Sequence, residues 1–156
     1  MKYRLLTKEQ FLALHEDFAK FLASQQIDVK EWEHLKKNKP EVAEEEMAVF
    51  SEIVWEDVLT KTEFLEHISA HHINLFKCNS KEIIRIYIQW NNDKRSFLNE
   101  NDFQWFLENP LHDDFEYFKA KKSYTKNRNE ELFDLIEKGS IITKGMLFQK
   151  VMQLIR

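Results

Sequence analysis

Apolar residues recur at helical spacing through the N-terminal part of the chain. From Pro40 to Leu59, the residues Ala43, Met47, Phe50, Val54 and Val58 follow in steps of four, three, four and four. That is one continuous helical stripe. Val42, Val49, Ile53 and Trp55 widen it and predict burial on more than one side. Pro40 suits the first helical position, where its missing N–H removes no bond. Glu41, Glu44, Glu45 and Glu46 crowd the first turns, where the helix dipole favours negative charge. Ahead of this helix, Thr7 and Gln10 form a capping box opening a helix to about Ser24, with Phe11, Leu14, Phe18, Phe21 and Leu22 inward. Asp28 and Glu31 open a second, anchored by Trp32 and Leu35. Behind it, Thr60 with Glu63 predicts the cap of a shorter helix, Lys61 to Ala70, with Phe64, Leu65 and Ile68 facing inward.

At Ile73 the period changes. Ile73, Leu75 and Cys78 read as a short strand, and Asn79-Ser80-Lys81-Glu82 as a polar turn. Ile84, Ile86, Ile88 and Trp90 then alternate with Arg85, Tyr87 and Gln89, the period of a half-buried strand. The two runs predict a β-hairpin. Asn99 to Glu108 reads as a helix ending before Pro110, and Phe115 to Ala120 as a third strand. Asn129 is expected to cap a helix through Leu132, Phe133, Leu135 and Ile136, closed by Gly139. Thr143 is expected to cap a last one carrying Leu147, Phe148 and Val151, with Gly145 unexplained near its start. The resulting fold class is α+β: an N-terminal helical group, a small, mostly antiparallel sheet and C-terminal helices. The only seam, Asn91 to Ser96, is too short to divide the chain, so residues 1–156 are expected to form one domain.

Composition removes several function classes. Thirteen Phe and four Trp supply bulky core material and argue against disorder in bulk, while 32% charged residues give a well-solvated surface. A net charge of −4 argues against a dedicated DNA-binding domain. Cys78 is the only cysteine, which excludes an internal disulfide. Gly139 and Gly145 are the only glycines, with neither the spacing nor the preceding strand that a phosphate loop, a dinucleotide fingerprint or a nucleophile elbow needs. No leader-like or membrane-length apolar run is present. A cytoplasmic protein without a cofactor or membrane contact is expected.

Two constellations could carry chemistry. On a helix from Lys61 to Ala70, Glu63, His67 and His71 would share one face, and imidazoles one turn apart can grip a metal ion with a Glu as third ligand. Glu52 and Glu56 could add oxygens, although the stripe sends both away from Phe50 and Val54. A metalloprotease motif would need Glu directly after the first His, where Ile68 stands. The commoner outcome for such spacing is a solvated face with an i,i+4 Glu–His pair. The second constellation is a charge asymmetry. Glu41 to Glu66 holds nine acids and one base. Lys119, Lys121, Lys122, Lys126 and Arg128 are five bases in a run without acids, interleaved with Tyr117, Phe118 and Tyr124. Basic residues among aromatics can hold phosphates and stack bases. The same run could equally be a solvated loop, or meet the acidic helix within the chain or across a dimer. Cys78 beside Phe76 reads as an inert buried thiol.

Lys39-Pro40-Glu41-Val42-Ala43-Glu44, Val54-Trp55-Glu56, Leu75-Phe76-Lys77-Cys78-Asn79 and Ile142-Thr143-Lys144-Gly145 give the whole chain a further feature. On these residues it resembles a small bacterial family of uncharacterised proteins of this length. The resemblance implies a cytoplasmic bacterial protein and carries over no site residues. The leading functional expectation is a non-enzymatic interaction or regulatory module, with another protein or a second copy of the chain as partner. A metal-dependent hydrolase using Glu63, His67 and His71, and RNA binding through Lys119 to Arg128, are the alternatives.

Overall fold

A computed structural model describes residues 1–156. The chain forms two compact units, Met1–Thr60 and Lys61–Arg156.

The first unit is helical: α1 (Lys8–Ala13), α2 (His15–Ser24), α3 (Val29–Asn38) and α4 (Pro40–Lys61), the last running one residue past the division. The Thr7 capping box forms, with the Gln10 N–H donating to Thr7 Oγ1 at 3.2 Å and the Thr7 N–H to Gln10 Oε1 at 2.8 Å. Asp28 caps α3 by accepting from the Glu31 N–H at 2.8 Å. The expected first helix is interrupted at Leu14, whose φ of −107° and ψ of 22° leave the helical range. Phe18 on α2 and Phe50 on α4 meet at 5.0 Å, with Phe11, Phe21 and Trp32 around them. Ala43, Phe50, Ser51, Trp55 and Leu59 are the buried face of α4. Val49 and Ile53, expected to be buried, are 51% and 52% exposed, and Val58 is exposed too. A helix apolar nearly all round does not show which side is covered; here its largest rings and one hydroxyl decide. Ser51 Oγ donates to Met47 O and accepts from the Leu6 N–H at 3.0 Å. Glu52 accepts from the Lys2 and Tyr3 N–H groups, and Glu56 from Tyr3 OH. Both acids therefore hold the extended N-terminal lead-in.

The second unit is a five-stranded antiparallel sheet with three helices. Its strands are β1 (Phe64–Ile68), β2 (His72–Cys78), β3 (Glu82–Trp90), β4 (Phe115–Ser123) and β5 (Ile141–Thr143), in the order β4-β3-β2-β1-β5. Its helices are α5 (Glu100–Glu108), α6 (Arg128–Glu137) and α7 (Met146–Leu154). The fold is α+β. One sheet face carries Phe64, Ile73, Leu75, Ile86, Ile88, Trp90 and Phe115, packed with Phe97, Phe106 of α5, and Phe148 and Val151 of α7. The isoleucines of β3 share this face, as its period predicts. Arg85, Tyr87 and Gln89 point the other way, since alternate residues of a strand face opposite sides.

Four expectations are corrected. The segment after Lys61 is strand β1, not a helix. Phe64 and Leu65 are both buried but on opposite faces of an interior strand, which erases the alternation that marks half-buried strands. Thr60 lies inside α4, its hydroxyl donating back to Glu56 O at 2.7 Å, so it is no cap. Asn127 rather than Asn129 caps α6, accepting from the N–H groups of Asn129 and Glu130. Thr143 ends β5, and Gly145 occupies the α7 N-cap at φ 80°. A Cβ on Gly145 would lie 2.4 Å from the Phe64 ring. Left-handed backbone and close approach together account for this glycine.

Candidate binding groove

The second face of the sheet is polar and aromatic, and α6 crosses part of it. Between α6 and the strands lies a groove of about 520 Å³. Phe76, Ile83, Ala120 and Leu135 supply its apolar surface. Arg85, Lys122 and Lys138 contribute positive charge, Glu131 and Asp134 negative, and His67 and Asn74 further polar groups. Cross-strand pairing explains the convergence. Arg85 lies opposite Phe76 on β2 and Ala120 on β4, and Asn74 opposite both His67 and Tyr87.

Arg85 is positioned without being paired to an acid. Its Nε and Nη2 donate to Asn74 Oδ1 at 2.8 and 2.6 Å, and its guanidinium stands 5.2 Å from the centre of the Tyr87 ring. These contacts fix its position without neutralising it, because the acceptor is an amide and not a carboxylate. Lys122, by contrast, has Glu131 at 3.5 Å. Next to Arg85 on the same face is a row of rings. Tyr87 stacks on His72 at 5.4 Å and 20°, with Tyr87 OH 2.5 Å from His72 Nδ1. Phe118, 50% exposed, lies 5.9 Å from Tyr87 on the neighbouring strand.

The residues singled out from the sequence disperse. On a helix, Glu63 and His67 would be neighbours about 6 Å apart. Along extended chain, four residues span roughly 13 Å. Glu63 precedes β1, its carbonyl accepting from the Cys78 N–H, while His67 faces the groove and His71 sits in the β1–β2 turn. No three His, Cys, Asp or Glu side chains are grouped so as to hold a metal ion. The basic run divides as well. Lys119 and Lys121 are exposed along β4, the outer strand of the sheet, where lysines discourage addition of a further strand. Lys126 pairs with Asp134, which raises the lysine's pKa chiefly through their hydrogen bond. Tyr124 OH donates to Asn79 O at 2.8 Å, and burial pushes its phenol up to about 12. Arg128 donates to the carbonyls of Thr62, Cys78 and Asn79 at 2.5, 3.0 and 3.1 Å and to Asn129 Oδ1 at 2.8 Å. It ties the start of α6 to the ends of the strands. Inside the second unit, Lys122 and Lys126 meet acids of α6.

Sequence reasoning missed Arg85, Asn74, Tyr87, Phe118 and Lys138 as a group. The alternation in β3 already placed Arg85 and Tyr87 opposite the isoleucines. It carried no sign that α6, more than forty positions on, would cross that face.

Cys78 is buried, and burial pushes its thiol up to about 12, with the Arg128 charge acting weakly the other way. At pH 9 such a buried thiol keeps its proton, and thiolate is the reactive form. The native chain is therefore expected to resist iodoacetamide at pH 9 and to be modified at once in denaturant, read by mass spectrometry. Rapid native modification would contradict the burial. The sign of the stability effect follows. An unfolded thiol ionises near pH 9 while the folded one keeps its proton, so this contribution is intact below about 9 and is lost as pH rises towards about 12.

A family model matches residues 1–156 of the chain. The chain belongs to DUF6495, a family of unknown function. No curated protein and no solved structure matches it. Membership in DUF6495 thus agrees with the resemblance to an uncharacterised family of this length and supplies no site residues. No helix of this DUF6495 chain is long and apolar enough to cross a membrane.

Proposed function

We propose that this chain is a non-enzymatic binding module that takes an anionic partner in the groove beneath α6. The supporting observation is Arg85, a guanidinium held in place by Asn74 and Tyr87 with no carboxylate partner, at an open groove that also presents Lys138. A positioned but unneutralised cation gains more from an incoming anion than one already in an ion pair, because no existing pair must first be broken. The separation of charge fits this role. The first unit carries thirteen acids and eight bases, the second fourteen acids and fifteen bases. An anion is therefore steered towards the second unit.

Heparin is the probe. Binding measured by calorimetry is expected to weaken as salt rises, and to fall at least tenfold in the double variant Arg85→Ala and Lys138→Ala. The same loss is not expected in Lys36→Ala and Lys37→Ala, at the end of α3. Absence of binding, or equal losses in both variants, would refute the groove as the site.

A further inference from the structure

We infer that the partner is a single-stranded polynucleotide, its bases stacking on Phe118 beside Tyr87 while its phosphates meet Arg85 and Lys138. This deepens the anionic-partner reading and rests on it. The rings and Arg85 occupy successive rungs of one sheet face, and Lys138 is presented to it from the groove. Tyr87 pairs across with Phe118, the next rung on that face pairs Arg85 with Ala120, and the next pairs Ile83 with Lys122. Phe118 is half exposed on this face. It has no polar tip to be satisfied by water, so an unstacked base covering it removes apolar surface from solvent. Tyr87, with His72 stacked on its ring and Arg85 over it, is held in place and backs the exposed Phe118 ring before anything binds. At the other end of the row, Glu116 and Asn91 are hydrogen-bonded to each other at 2.8 Å. The carboxylate there disfavours a phosphate. A duplex has its bases already stacked and offers only its backbone to such a platform, so the geometry selects single strands. Ribose and deoxyribose strands share the chemistry used here.

The test is fluorescence anisotropy with labelled twelve-residue oligonucleotides of one mixed sequence, as RNA, as DNA and as the RNA duplex, alongside heparin. At least tenfold tighter binding of a single strand than of the duplex is expected, with the RNA-to-DNA ratio assigning the source. Phe118→Ala is expected to weaken single-strand binding about tenfold and heparin binding far less, and Phe118→Tyr to restore single-strand binding. Equal binding of single strand and duplex, or no effect of Phe118→Ala, would overturn this inference. It would leave an anion groove blind to bases. Failure of heparin and oligonucleotides alike would overturn the anion reading as well.

Discussion

Phe50→Ala is expected to destabilise the chain by about 3–5 kcal/mol. Phe50 is 4% exposed, and its ring lies 5.0, 5.5 and 6.1 Å from those of Phe18, Phe21 and Phe11. Truncation at Cβ removes the transfer energy of the ring and leaves a space bounded by aromatic side chains on three sides. Such rings have few rotamers with which to fill it, so the cost should fall towards the upper part of that range. A loss of this size is a large fraction of the roughly 5–15 kcal/mol that holds most domains folded. Urea unfolding followed by far-ultraviolet circular dichroism would measure it. A change below about 1 kcal/mol would mean that Phe50 does not sit at the centre of the helical unit.

Arg128→Ala is expected to cost about 3 kcal/mol, from a residue that looks in sequence like one more surface cation. Its guanidinium supplies hydrogen bonds to Thr62 O, Cys78 O and Asn79 O. Removing it strands part-buried carbonyls that water reaches poorly, and bonds from a charged donor are worth more than neutral ones. Arg128→Lys should recover less than half, because an ammonium is a point donor and cannot span carbonyls that a planar fork reaches together. Thermal unfolding of the two variants would show this. Full recovery by lysine would indicate that charge alone matters there. Because Arg128 is engaged within the fold, the lysine variant should leave the salt dependence of heparin binding unchanged, whereas Arg85→Ala should reduce its slope.

These two residues also show what the sequence made legible. Phe50 was readable because a stripe at helical spacing is a local property of twenty neighbouring residues. The isoleucines of β3 were readable for the same reason, with a period of two. Arg128 was not, because its carbonyl partners near residues 62, 78 and 79 come together only through β1–β2 pairing. The histidines failed in the opposite direction. Phe64, Leu65 and Ile68 fit a helical period, and a central strand covered on both faces offers no alternation against it, so Glu63, His67 and His71 were placed on a helix that does not form. The groove depended on α6 returning over β3, a contact between distant segments that no window of sequence contains. Its polar wall was nevertheless present in the residues alternating with the isoleucines.

The sheet order bears on how the chain assembles. β1 to β4 pair in the order in which they occur, so each new strand finds its neighbour already in place through short- or medium-range closure. β5 departs from this. It joins the opposite side of β1, setting Thr143 against Phe64. During synthesis from the N-terminus, the outer row of N–H and C=O groups on β1 therefore has no strand to meet until nearly the whole second unit has left the ribosome. An open strand edge flanked by Phe64 and Leu65 is a template for pairing with other chains. The three residues of β5 thus serve as a late seal, and slow delivery of this short segment would be a period of exposure to aggregation for an otherwise locally wired fold.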